Sequence, residues 1–188
     1  DDIGRIIDAL GGGPVDLFAT SGGAVNGLAL VSVRPELVRT LVAHEPPLAE
    51  YLPDRDQVLA ANRDIGETYQ RSGSPAAMAK FLQLVMVEGP LPDSYADQPA
   101  PDPAMFGMPN DDDGSRDDPL LAQNNRTCVP YVPDLEALGS ASTRIVVAAG
   151  VESAEQLTGR AAATVADVLG LDLAVFPSHH GGFLGGEF

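Results

Sequence analysis

The chain has 188 residues, 44% of them hydrophobic and 20% charged, with 27 Asp and Glu against 11 Lys and Arg and a formal net charge of −16. That length accommodates one domain with a sizeable core, and that charge repels phosphate backbones and anionic lipid, which argues against nucleic acid or a membrane surface as partner. Cys128 is the single cysteine, so an intrachain disulfide is excluded, and no stretch approaches the roughly 18 apolar residues of a membrane span.

Residues 1–10 read as an opening helix that is already under way at Asp1. With no methionine at the start and no visible signal peptide, the expectation is that an upstream part precedes it, and that the location is cytoplasmic. Gly11-Gly12-Gly13-Pro14 stops this helix and turns the chain. Residues 15–19 form an apolar run, followed at once by a helical pattern over 22–33. Further apolar, β-branched runs lie at 38–43, 144–149 and 173–176, with a helical pattern over 154–169 between the last two. Runs apolar on both faces belong to parallel sheets. Their alternation with helices predicts the α/β class, a mostly parallel sheet with helices on both faces.

Residues 46–138 break the alternation. Helical patterns fall near 54–71 and 75–87, with a shorter one near 119–128. The intervening 89–118 carries Pro90, Pro92, Pro99, Pro101, Pro103 and Pro109, which rules out a regular helix or a central strand. A helical insertion between two strands, carrying one long loop, reads as a lid over a site. The chain thus divides into core (1–45), helical cap (46–138) and core (139–188).

Ala19-Thr20-Ser21-Gly22-Gly23 carries the chemistry. A buried strand runs into a small-residue turn centred on serine, and a helix follows, as a nucleophile elbow requires. The pattern G-x-S-x-G has Ala19 in its first position. Ser21 is the candidate nucleophile, and the Gly22 N–H, at the positive end of the helix, a candidate oxyanion donor. The competing reading makes Ser21 a helix cap. A phosphate-cradling loop is disfavoured, since neither G-x-G-x-x-G nor Gly-Lys-Ser/Thr is present.

With this elbow leading into AVNGLALVSVRPELVRTLVAHEPPL over residues 24–48, the chain resembles the α/β-hydrolase superfamily, in particular its actinobacterial members. The resemblance runs nearly the whole length. It implies that the four strands are the fifth to eighth of eight, and that the cap is inserted after the sixth. The earlier strands, with a second oxyanion donor, would then lie upstream of Asp1. The loop Pro177-Ser178-His179-His180-Gly181-Gly182-Phe183 is similar to the family's P-x-x-H-x-G-[FY] and selects His180 over His179 as the base, an imidazole suited to taking the serine proton. The family's acid follows the seventh strand, which implies Glu152 in Ala149-Gly150-Val151-Glu152-Ser153. Where the acid follows the sixth strand instead, the position is Glu45. Glu155 reads as a solvated helix residue, and His44 and His179 as structural.

Asn124 and Asn125 either face the site or belong to a polar helix surface. Met78, Phe81, Leu82, Met86, Met105, Phe106 and Met108 either line an acyl pocket or form cap core. The resemblance implies hydrolysis of a carboxylic ester or related acyl bond in a small-molecule substrate, through an acyl-serine and without metal or organic cofactor. The reading from a different class is a non-catalytic binding or scaffold protein of the same fold, which Ala19 leaves open.

Overall fold

In the computed structural model, which describes residues 2–185, four strands stand side by side in the order of the chain. They are β1 (Val15–Thr20), β2 (Val38–His44), β3 (Arg144–Gly150) and β4 (Ala174–Phe176). Every pairing is parallel, with Thr20 opposite His44, His44 opposite Ala148, and Gly150 opposite Phe176. All four strands therefore end on the same side of the sheet, where ligands of open α/β sheets are bound. The helices α1 (Asp2–Leu10), α2 (Gly22–Val33) and α6 (Leu157–Leu169) accompany the sheet. Their Ile7, Leu28, Val31, Ala162 and Val165 share one core with Val38, Leu41 and Val147. Among the described residues β1 forms one edge and pairs only with β2, leaving Phe18 46% exposed.

Between β2 and β3 the chain is helical. The two helices expected over 54–71 and 75–87 form α3 (Arg55–Val85), broken at Gly73, whose φ is 81° and ψ −177°. Only glycine adopts that conformation readily. A side chain there would also begin 2.1 Å from the Asp112 carboxylate. The proline-rich 89–118 is irregular apart from 3-10 turns at Asp93–Asp97 and Pro103–Phe106. The expected third helix is a π-helical turn, Pro119–Asn124, continued by α4 (Asn125–Cys128). The short α5 (Leu135–Ser140), capped by the Asp134 side chain, has no counterpart among the sequence expectations. α6 starts at Leu157 rather than 154, because Val151–Ser153 closes a 3-10 turn and Gln156 is extended.

This helical segment has a core of its own around Val58, Ile65, Tyr69 and Leu121, which also takes Leu157 and Ala161 from α6. α6 thus belongs to both cores. At about 1.5–3 kcal/mol per fully buried large side chain, that shared packing is a strong tie. A polar clasp reinforces it. Arg160, 13% exposed, pairs with Asp54, 4% exposed, and donates to the Gly89 carbonyl at 2.5 Å. The other Asp54 oxygen accepts the Leu91 N–H at 2.7 Å.

Candidate active site

Three strands lead into a residue with positive φ that is not glycine. Ser21 (54°) directly follows β1, Glu45 (49°) directly follows β2, and Ser178 (68°) lies two residues past β4. Among the described residues there are no others. Such conformations cost about 1–3 kcal/mol each and persist where the surroundings over-determine them. Here they gather at the C-terminal ends of the strands.

Ser21 stands at the N-cap of α2, yet its side chain makes no capping hydrogen bond. Its backbone fixes the turn instead. The N–H donates to the His44 carbonyl at 2.9 Å, and the carbonyl accepts from Ala24 and Val25. Gly22 opens the helix, and its N–H has no acceptor among the described residues, as expected of a first-turn donor. The Asn124 amide covers it so closely that a β-carbon on Gly22 would lie 2.1 Å from Asn124 Oδ1. Ser21, Gly22, Asn124, Asn125 and His180 all line one cavity of about 390 Å³, which Phe81, Leu84 and Met86 help to make apolar. Asn124 and Asn125 therefore face this cavity. From the apolar set read in the sequence, Phe81 and Met86 reach it, whereas Met78 packs against the helical core and Met105 is 77% exposed.

The carboxylate against His180 belongs to Glu45. His180 Nδ1 lies 2.5 Å from Glu45 Oε2. That same oxygen accepts from Thr158 Oγ1 at 2.7 Å, and Oε1 accepts from the Gly150 N–H at 2.8 Å. Glu45 is fully buried. Burial raises its pKa, but the hydrogen bonds from His180, Thr158 and Gly150 outweigh it and hold the group at about 2. With Nδ1 committed to the carboxylate, Nε2 is the ring nitrogen left for chemistry.

Glu152, the acid implied by the position after β3, does not meet His180. It sits in the 3-10 turn after β3, its side chain exposed, and only its backbone N–H engages the histidine loop, donating to Ser178 O at 3.0 Å. The turn after β3 thus holds that loop through the backbone, and the Gly150 N–H serves Glu45. His179 is exposed, with Nδ1 accepting the Gly181 N–H at 3.1 Å. His44 is fully buried, bonded through Nδ1 to Thr20 Oγ1 at 3.0 Å and stacked between Phe176 and Phe18, with the His180 ring centroid 6.0 Å away. Burial lowers its pKa, against the charge of Glu45. Buried Cys128 places Sγ 3.6 Å from the Gly22 carbonyl, and burial raises its pKa. Thr158 was not a sequence candidate, since nothing local marks a threonine in the first turn of a helix as a carboxylate's partner.

No family model matches the chain. Among solved structures it is similar to Rv0554 from Mycobacterium tuberculosis, with 22% identity and a TM-score of 0.63 over 98% of this chain and 65% of that one. It is similar as well to the protein called non-heme bromoperoxidase BpoC, from the same organism, with 25% identity and a TM-score of 0.60 over 98% of this chain and 66% of that one. E-2-(acetamidomethylene)succinate hydrolase aligns at 18% identity and a TM-score of 0.51, over 97% and 65%. The chain thus spans about two thirds of the length of each. The parallel sheet, its helices and these likenesses identify the architecture of this chain as the α/β-hydrolase fold.

Proposed function

We propose that the protein is a serine hydrolase that cleaves a carboxylic ester or related acyl bond, with Ser21 as nucleophile, His180 as base and Glu45 as the acid that orients it. The observation carrying this reading is the Glu45–His180 contact beside a cavity that Ser21 also lines. Ser21 Oγ attacks the acyl carbon while His180 Nε2 takes its proton, and the buried Glu45 carboxylate stabilises the imidazolium. The Gly22 N–H holds part of the oxyanion. Collapse of the intermediate passes the proton from His180 to the leaving alcohol, and the acyl-serine is then hydrolysed by a water that His180 activates in the same way. These steps use side chains and backbone alone. The helical segment between β2 and β3 serves as the cap, and the apolar wall of Phe81, Leu84 and Met86 suits the acyl part of a small substrate.

Hydrolysis of short-chain p-nitrophenyl esters tests the reading. The protein turns them over, and Ser21→Ala lowers turnover by about 10³-fold or more, because triad members act as a unit. Equal turnover in the two proteins overturns the nucleophile assignment. No turnover, together with no labelling by a fluorophosphonate, favours a binding or scaffold protein of this fold instead.

A further inference from the structure

The cavity described above is not the largest concave feature. A groove of about 740 Å³ lies on the helical segment, and Arg63, Arg71 and Arg126 line it together. Of the chain's 11 basic residues, Arg5, Arg34, Arg39, Arg55, Lys80, Arg116 and Arg160 stand in ion pairs. Among the described residues Arg63, Arg71, Arg126 and Arg144 have no carboxylate partner. Three of these four converge on one groove, in a chain that has 27 Asp and Glu available to neutralise them.

The groove is built by helical geometry. Arg63, Glu67 and Arg71 recur at four-residue spacing, which stacks them along one face of α3. Arg126 reaches over from α4, its Cγ 3.9 Å from where a side chain on Gly66 would begin. Glu67 also lines the groove and offsets one charge, which leaves two in excess. Asn62 lines it too and is 5% exposed. Its Nδ2 donates to the Asn125 carbonyl at 3.2 Å, which ties the groove wall on α3 to α4. Guanidinium groups remain charged at any accessible pH and recognise carboxylate and phosphate through paired N–H donors. α4 separates the groove from the Ser21 cavity, since Arg126 lines the one while Asn125 and Cys128 line the other.

We propose that this groove binds a small molecule carrying two anionic groups, carboxylates or phosphates. The proposal stands apart from the hydrolase reading, since none of its residues takes part in the chemistry. Isothermal titration calorimetry at low ionic strength, with citrate and pyrophosphate as separate probes, tests it against Arg63→Gln/Arg126→Gln and against Arg144→Gln. Expected is saturable one-site binding of at least one probe, about tenfold or more weaker in the double variant and unchanged in Arg144→Gln. Saturation by citrate alone assigns a polycarboxylate, and by pyrophosphate alone a phosphorylated ligand. Melting temperatures of the free proteins check folding, and Arg71→Gln supplies the same comparison should the double variant melt early. The proposal is overturned if neither probe saturates at millimolar concentration. It is equally overturned if the arginine variants bind as wild type does, or if Arg144→Gln weakens binding as much as they do.

Discussion

Glu45 and His180 stand 135 residues apart in the chain, and their side chains meet at 2.5 Å. The contact forms where β2 and β4 deliver the segments that follow them to one end of the sheet, and Thr158 and the Gly150 N–H complete the coordination of the carboxylate. Glu45 accordingly has a defined place for each oxygen, whereas the Glu152 carboxylate lies in solvent.

Glu45→Gln keeps the volume of the side chain and removes its charge. Ester turnover should fall by about 10⁴-fold, the scale seen when an orienting acid is neutralised in a triad. Glu152→Gln should leave turnover within about twofold, as for most exposed substitutions. Steady-state kinetics of the two variants compare the acids side by side.

The same carboxylate makes stability depend on pH. Its pKa falls from 4.5 to about 2 in the folded state. A depressed acid contributes fully above its unfolded pKa and loses that contribution as pH falls through the folded value. For Glu45 the window runs from about pH 4.5 down to about pH 2, and the contribution is roughly 3 kcal/mol. Urea unfolding of wild type and Glu45→Gln should show a stability gap near neutral pH that narrows across this window.

Asp54 and Arg160 clasp the helical segment to α6. Asp54→Ala leaves a nearly buried guanidinium without its carboxylate and frees the Leu91 N–H. A loss of roughly 3 kcal/mol is expected from breaking such a pair. Equilibrium denaturation measures it, and a change below about 1 kcal/mol, the usual worth of an exposed pair, would show that the clasp is superficial.

Gly22 and Asn124 compete for one space. Gly22→Ala places a methyl group 2.1 Å from the position of Asn124 Oδ1, so the amide must move. Overpacking of this kind costs about 1–3 kcal/mol. The double variant Gly22→Ala/Asn124→Gly should recover most of that loss in thermal unfolding, and additive losses would show that the strain lies in the elbow itself.

The elements legible in the sequence are those whose signals are local. Residues 15–33 state their fold in order: an apolar run, a small-residue turn around Ser21, then an uninterrupted helical stretch. The break in α3 was legible too, since Ser72-Gly73-Ser74-Pro75 interrupts the pattern at the residue where φ becomes positive. α5 was missed because six residues carrying Leu135 and Leu138 as their only large apolar side chains give almost no periodicity. The acid was ambiguous for a different reason. Both Glu45 and Glu152 follow an apolar strand, and what separates them is the direction of a side chain relative to a loop that arrives from the far end of the chain. The buried charge in His44-Glu45-Pro46-Pro47 was a usable signal, because a carboxylate flanked by apolar strand and prolines needs a partner. Thr158 could be recognised only after that partner set was known.

Mass-spectrometric mapping of the protein after reaction with a fluorophosphonate tests whether Ser21 is the nucleophile. One adduct is expected, on the peptide containing Ser21, absent in Ser21→Ala and forming much more slowly in His180→Ala and Glu45→Gln. An adduct on another residue, or none while the protein still hydrolyses esters, would contradict that assignment.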